Sequence, residues 1–182
     1  MHMKSSDEIL VERAKAGDRT AFGELVATHY DLIFRLSFRL LGSQAEAEDL
    51  AQDVCIELPV KLQSFRGESK FTTWLHRVVI NKGRDVMRRK ATHARAAVGW
   101  GDVEVLRHAA DAETKADIHW LQEAIGHLPQ ELQETLALVL GEEMTHAEAG
   151  ACLSVSEGTI SWRMSEVRKA LKKQARSEEK LQ

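Results

Sequence analysis

Proline is nearly absent from this chain: Pro59 and Pro129 are the only two among 182 residues, and eleven glycines complete the supply of strong turn-formers. A sandwich or barrel needs closely spaced turns that this supply does not meet. Ala, Leu, Glu, Gln, Arg and Lys, which lose little on entering a helix, abound. The expected fold class is therefore all-α. An apolar share of 43% beside a charged share of 29% lies near the globular average and excludes wholesale disorder and fibrous repeats. The longest apolar runs, such as Leu136 to Leu140, fall far short of the roughly 20 residues that span a bilayer. The polar N-terminal stretch lacks a signal-peptide core. The expectation is a cytoplasmic protein without membrane insertion.

Helix boundaries follow from spacing. Phe22, Leu25, Val26, Ile33, Leu36 and Leu40 recur at three and four residues, one stripe of a helix that Gly42 should stop. Ser43 and Glu46 form a capping-box pair, opening a helix that Pro59 should kink or end. A loop from Ser64 to Ser69 contains Gly67, and Phe71, Trp74, Leu75, Val78 and Val79 begin another stripe. From Ala91 to about Glu113 periodicity dissolves among alanines and glycines, which marks a linker. Thr114 to Asp117 can cap a further helix, and Leu128-Pro129 marks the turn into a helix from Glu131 to Leu140. The expected organisation is a first module over 7–92, a linker over 93–115 and a second module over 116–176.

The most informative segment is near the end. Thr145 and Glu148 form a second capping box before a short helix, Ser154-Val155-Ser156 is a tight connection, and a helix follows from Glu157 to about Lys173. This is a helix-turn-helix pattern. Ile160, Met164, Val167 and Leu171 share the core-facing stripe, which leaves Ser161, Trp162, Ser165 and Lys169 outward, as a helix entering a major groove requires. Trp162 also suits packing against the preceding helix.

Charge is segregated. Net charge is -3, which argues against gripping nucleic acid by bulk charge. Gly42 to Leu58 nevertheless holds five acids and no base, and Arg66 to Arg95 holds nine bases against two acids. Trp100 to Glu143 holds ten acids against two bases, and Glu157 to Arg176 six bases against two acids. Solvated helix faces are one reading; two nucleic-acid surfaces and separate protein-docking surfaces are the other. Cys55 and Cys152, the only thiols, lie in no CxxC pair and read as small core residues. His29, His76, His93, His108, His119, His127 and His146 are scattered without metal-ligand spacing. No metal, cofactor or catalytic residue is expected.

Ala21-Phe22-Gly23-Glu24-Leu25, Ala47-Glu48-Asp49-Leu50-Ala51-Gln52-Asp53, Phe65-Arg66-Gly67-Glu68-Ser69 and Phe71-Thr72-Thr73-Trp74-Leu75 closely resemble domain 2 of the bacterial sigma-70 family. Leu128-Pro129, Thr145-His146-Ala147-Glu148-Ala149 and Gly158-Thr159-Ile160 resemble its domain 4. With no sign of the family's extra domains, the chain is similar to the compact extracytoplasmic-function (ECF) group. The resemblance covers nearly the whole chain in the right order. It implies a promoter-recognition subunit that joins core RNA polymerase, reads two promoter elements of DNA and helps open the duplex, with regulation by an anti-sigma factor.

The resemblance also implies residue roles. Glu48, Asp49, Gln52 and Asp53 match the polymerase-docking helix. Phe65, Arg66, Lys70, Arg77, Asn81, Lys82, Arg84 and Arg88 match the reader of the minus-ten element, where capture of an extruded base offsets the cost of unstacking. Phe65 and Trp74 fit either core packing or stacking beside DNA. Ser156, Thr159, Ser161, Trp162, Arg163, Ser165, Arg168 and Lys169 match the reader of the minus-thirty-five element. Ser161 and Glu166 depart from the family pattern at positions that often carry bases, and Pro59 stands where many relatives carry an aromatic or aliphatic residue. The rival reading is a stand-alone helix-turn-helix operator-binding regulator, which leaves the acidic helix and the first basic helix unexplained. An interaction module follows, and an enzyme comes last.

Overall fold

The computed structural model describes residues 5–96 and 120–178. Its elements are α1 (Ser6–Lys15), α2 (Arg19–Leu41), α3 (Gln44–Leu62), α4 (Phe71–Ala96), α5 (120–126), α6 (Gln130–Leu136) continued by a π-helical turn (Ala137–Gly141), α7 (His146–Leu153) and α8 (Glu157–Glu178). No strand occurs among the described residues. The all-α expectation holds.

Local chemistry sets the helix ends. Asp18 accepts from the amides of Thr20 and Ala21 to open α2, and Gly42 closes it at φ 70°, a left-handed conformation that glycine enters without a Cβ clash. The box at Ser43 is half formed: its hydroxyl accepts from the Glu46 amide, while the Glu46 carboxylate pairs with Lys90 of α4. Of the two outcomes expected at Pro59, a kink or an end, the end does not occur: α3 runs on to Leu62. The exposed proline ring faces solvent while Leu58 and Leu62, each 1% exposed, anchor the last turn in the core. That burial offsets the one backbone bond proline deletes.

In the first module Leu25, Ile33, Leu36 and Leu40 of α2 share a core with Leu50, Val54 and Leu58 of α3 and Leu75, Val79 and Ile80 of α4. Lys15 donates to the Phe65 carbonyl at 2.8 Å, tying α1 to the loop before α4. The capping half-turn expected at Thr114 to Asp117 and most of the linker lie outside the described residues, and α4 runs to Ala96, four residues into the segment assigned to the linker.

The second module departs from its expected outline at one place. The helix expected to run to Leu140 widens after Leu136, where the Glu142 amide reaches back five residues to the Ala137 carbonyl at 3.0 Å. Thr145 and Glu148 form the complete capping box. Ser154 then turns the chain at φ 59°. Gly150 permits the tight approach, since a Cβ there would lie 2.8 Å from the Val155 carbonyl oxygen. Leu128, Leu132 and Val167 form a small core of their own. Leu138, Ala149, Cys152, Leu153 and Ile160 instead join the core of Leu75 and Val79, so the two modules share one apolar interior.

Candidate nucleic-acid interface

On α3 the buried set Ala47, Leu50, Ala51, Val54, Leu58 and Leu62 occupies one stripe. The opposite stripe presents Glu48, Asp49, Gln52 and Asp53 and continues into Ile56 and Val60, 74% and 78% exposed. Sequence reasoning missed the last two. Their signal was present, because they fall four residues apart and off the buried stripe. Carboxylates at one end steer a basic partner, and exposed apolar groups at the other supply burial on contact.

The eight residues expected at the minus-ten element divide into three groups. Phe65 is buried, packed edge-on to Phe71 with centroids 5.9 Å apart and tilted on Trp74 at 5.3 Å. Trp74 is half-buried in the same cluster, 5.6 Å from Phe71. Core packing therefore accounts for Phe65 and for much of Trp74. Lys82 turns toward α3, where its ammonium reaches Glu57 at 2.5 Å and Asp53 at 3.1 Å. The hydrogen bond that Lys82 donates to Glu57 raises the Lys82 pKa and in turn holds the Glu57 carboxyl below its ordinary value.

The second group, Arg77, Asn81 and Arg84, lies on the face of α4 turned toward the second module. Arg77 donates to the Ala151 carbonyl through Nε at 3.1 Å and Nη2 at 2.5 Å. Arg84 donates to Asn81 Oδ1 at 3.4 Å and to both oxygens of Glu134 at 2.7 and 2.6 Å. Donation to the Glu134 carboxylate holds the Arg84 pKa above its ordinary value. The third group, Arg66, Lys70 and Arg88, is exposed, with Arg88 3.0 Å from Asp85.

In the helix-turn-helix, Ser156 is the amino-terminal cap of α8: its hydroxyl accepts from the Thr159 amide at 3.1 Å and meets the Thr159 hydroxyl at 2.8 Å. Ser161 meets His146 Nδ1 at 2.8 Å. Trp162 projects outward at 57% exposure, which decides against packing. Arg168 is exposed, Ser165 half-buried, and Lys169 pairs with Glu166 at 2.8 Å. Arg163 is half-buried, and its Nε finds no hydrogen-bond partner among the described residues. Ile160, Met164 and Val167 take the core side as expected.

Residues 25–93 match the family model of sigma-70 region 2, and residues 124–173 that of sigma-70 region 4. The chain belongs to the ECF group of the sigma-70 family. It is 32% identical to the ECF RNA polymerase sigma factor SigW of Bacillus subtilis over 91% of this chain and 95% of that one. Identity to the RNA polymerase sigma-H factor of Pseudomonas aeruginosa is 30%, over 95% of each chain. Among solved structures it resembles CnrH, determined in complex with the cytosolic domain of CnrY, with a TM-score of 0.70, 25% identity and coverage of 95% of this chain and 99% of that one. The sigma factor RpoE of Bartonella quintana, determined in complex with the anti-sigma factor NepR, shares the fold with a TM-score of 0.68 and 22% identity, over 85% and 96% of the two chains.

Burial pushes the Cys152 thiol up to about 11 and raises that of Cys55, the behaviour of packing residues rather than nucleophiles. No group of metal-ligating side chains assembles among the described residues. No described helix is long and apolar enough to cross a membrane.

Proposed function

We propose that this ECF sigma factor joins core RNA polymerase in the cytoplasm and directs it to promoters, with no catalytic group of its own. The observation that carries the reading is the ordered pair of family matches, region 2 over 25–93 and region 4 over 124–173. In this reading Glu48, Asp49, Gln52 and Asp53, extended by Ile56 and Val60, dock on the polymerase. Arg66, Lys70, Arg77, Asn81, Arg84 and Arg88 engage the displaced strand at the minus-ten element. Lys82 and Phe65 support that face by fixing α4 to α3 and to the loop. Thr159, Ser161, Trp162, Arg163, Ser165, Arg168 and Lys169 of α8 read the minus-thirty-five element, with Ser156 holding the start of the helix. Phosphates take the cations, and base edges take the hydroxyls and the guanidinium of Arg163. The likeness to CnrH, solved in complex with the cytosolic domain of CnrY, supports a protein partner of that kind, an anti-sigma factor, for this chain.

Run-off transcription with core polymerase and a genomic promoter library tests the reading. Discrete transcripts that require this protein are the expected result. A protein that shifts duplex DNA alone and yields no specific transcript with core polymerase is instead an operator-binding regulator.

A further inference from the structure

The first helix has no task in the reading above. α1 precedes the residues matched to region 2, 25–93, and carries none of the side chains assigned to polymerase or promoter. It is nonetheless fixed at several points. Val11 is 3% exposed, Asp7 lies 3.1 Å from His29 Nε2 of α2, and Arg13 donates through Nε at 2.9 Å and Nη2 at 2.6 Å to Asp18, the cap of α2. From that seated end Lys15 Nζ reaches the connection between α3 and α4, donating to the Phe65 carbonyl at 2.8 Å. Gln63 Nε2 donates back to the Lys15 carbonyl at 3.3 Å.

Phe65 is where the buried part of that connection ends. Its ring packs with Phe71 and Trp74, whereas Arg66, Gly67, Glu68 and Lys70 are exposed. Ser64 and Phe65 still bond backward to Lys61 and Leu62. From Arg66 to Ser69 no backbone–backbone hydrogen bond occurs among the described residues. Gly67 turns this stretch at φ 74°. The exposed residues therefore take their direction from the last peptide that is held. The Phe65 carbonyl and the Arg66 amide share one rigid plane, so an ammonium that holds the oxygen fixes the plane from which Arg66 departs.

We propose that Lys15 is a positioning residue for the minus-ten reader, holding the 65–66 peptide so that Arg66 and Lys70 meet the displaced strand in one geometry. The proposal rests on the minus-ten role given above to Arg66 and Lys70. Lys15 also stands in the last turn of α1, where a cation favours the helix dipole. That role needs only charge near the α1 carbonyls, whereas the ammonium is committed to a carbonyl of another segment. A part-buried carbonyl left unpaired costs more than the bond it lost. Without Lys15 the 65–66 peptide turns to find water, and Arg66 turns with it.

The test compares the full chain with its Lys15→Met and Lys15→Arg variants. Amide hydrogen exchange over residues 63–70, without DNA, reports on the tie. The amides of Gln63, Ser64 and Phe65, bonded back into α3, should exchange at least about five-fold faster in Lys15→Met, the scale of one net hydrogen bond, and at the wild-type rate in Lys15→Arg. Fluorescence anisotropy with the polymerase holoenzyme then measures capture of a labelled single-stranded minus-ten oligonucleotide, selected by the wild type from a randomised library, against its single-base variants. Lys15→Met should lose at least about five-fold in preference among bases with core-polymerase binding unchanged, and Lys15→Arg should restore it. Unchanged exchange in a folded Lys15→Met overturns the tie, and faster exchange with unchanged base preference overturns the positioning. Equal loss for every strand, a scrambled one included, also overturns it, since a phosphate contact carries no sequence information. Should Lys15→Met lose its helical circular dichroism, Gln63→Ala, which removes only the return bond, provides the same comparison, and wild-type exchange and preference there overturn the proposal. A wild-type holoenzyme that prefers no strand overturns the minus-ten reading, and exchange then decides the tie alone.

Discussion

Replacing Lys82 by Met separates two jobs that the sequence alone assigns together. Lys82 sits in the basic helix expected at DNA, yet its side chain is 15% exposed and its ammonium bridges Glu57 and Asp53 of α3. The carboxylates are 39% and 53% exposed, so solvent screens both pairs. Exposed pairs are worth about 0.2–1 kcal/mol each. The partial shelter of the Lys82 end puts the combined loss at about 1–2 kcal/mol, more than a surface pair and less than a buried one. For a chain of this length that lowers the melting temperature by about 2–8 °C.

The pH dependence carries a definite sign. Lys82 holds the Glu57 carboxyl below its ordinary value. The stability this supplies is complete above the ordinary glutamate value of about 4.3 and is lost as pH falls through the lowered folded-state value. On the alkaline side, Glu57 and Asp53 raise the Lys82 pKa. That contribution persists through neutrality and disappears as pH climbs past the raised value. Urea unfolding followed by circular dichroism should therefore show the wild type ahead of Lys82→Met near pH 7, with the gap closing in strong acid. Capture of a minus-ten single strand by the polymerase holoenzyme should stay within about two-fold, since a supporting ion pair touches no phosphate. Unchanged stability at pH 7 together with lost strand capture would refute the strut and return Lys82 to the DNA surface.

Three further outcomes follow from the same geometry. Asp49→Lys together with Ile56→Ser should weaken core-polymerase binding at least about ten-fold, beyond either change alone, with helical content intact; equal affinity in a titration would remove this stripe from the interface. Replacement of Ser161, Trp162 and Ser165 should alter base preference in a library randomised at the minus-thirty-five element, by about 1–3 kcal/mol for each lost specific contact, whereas identical preferences from folded variants rule out readout by this face. Burial alone would raise the Glu142 carboxyl, but His76, Arg39 and Arg35 bring it below its ordinary value, so the stability it supplies should be complete at neutral pH and be lost as acid protonates that carboxyl; a Glu142→Gln variant as stable as the wild type near pH 7 in urea unfolding would contradict this sign.

Features written in contiguous residues were legible in the sequence. The Thr145 and Glu148 capping box, the Gly42 stop and the stripe of Ile160, Met164 and Val167 each depend on neighbours within one or two turns. An end at Pro59 was one of two outcomes the local penalty allows, and α3 instead runs on because the long-range burial of Leu62 offsets that penalty. The π-helical turn was invisible because its widening depends on a single register shift after Leu136, with no residue type peculiar to it. Lys82 and Phe65 were assigned by analogy of position, and their direction from α4 and its preceding loop was settled only by what α3 and Phe71 place opposite them. Glu134 shows the limit most clearly. Sequence charge counts class it with an acidic run, whereas a 1% exposed carboxylate with a bidentate arginine is a tertiary fact.

The charge pattern then has a single physical reading. A chain of net charge -3 has little bulk attraction to DNA, so its affinity must come from local basic faces presented at the right moment. A face left open in the free protein would spend itself on the excess of non-specific sites. The seam between the two modules is not held by charge alone, because Leu138, Ala149, Cys152, Leu153 and Ile160 share the apolar interior of Leu75 and Val79, and separating the modules would expose that surface to water. Across that seam Arg84 and Glu134 keep paired, charge-assisted hydrogen bonds.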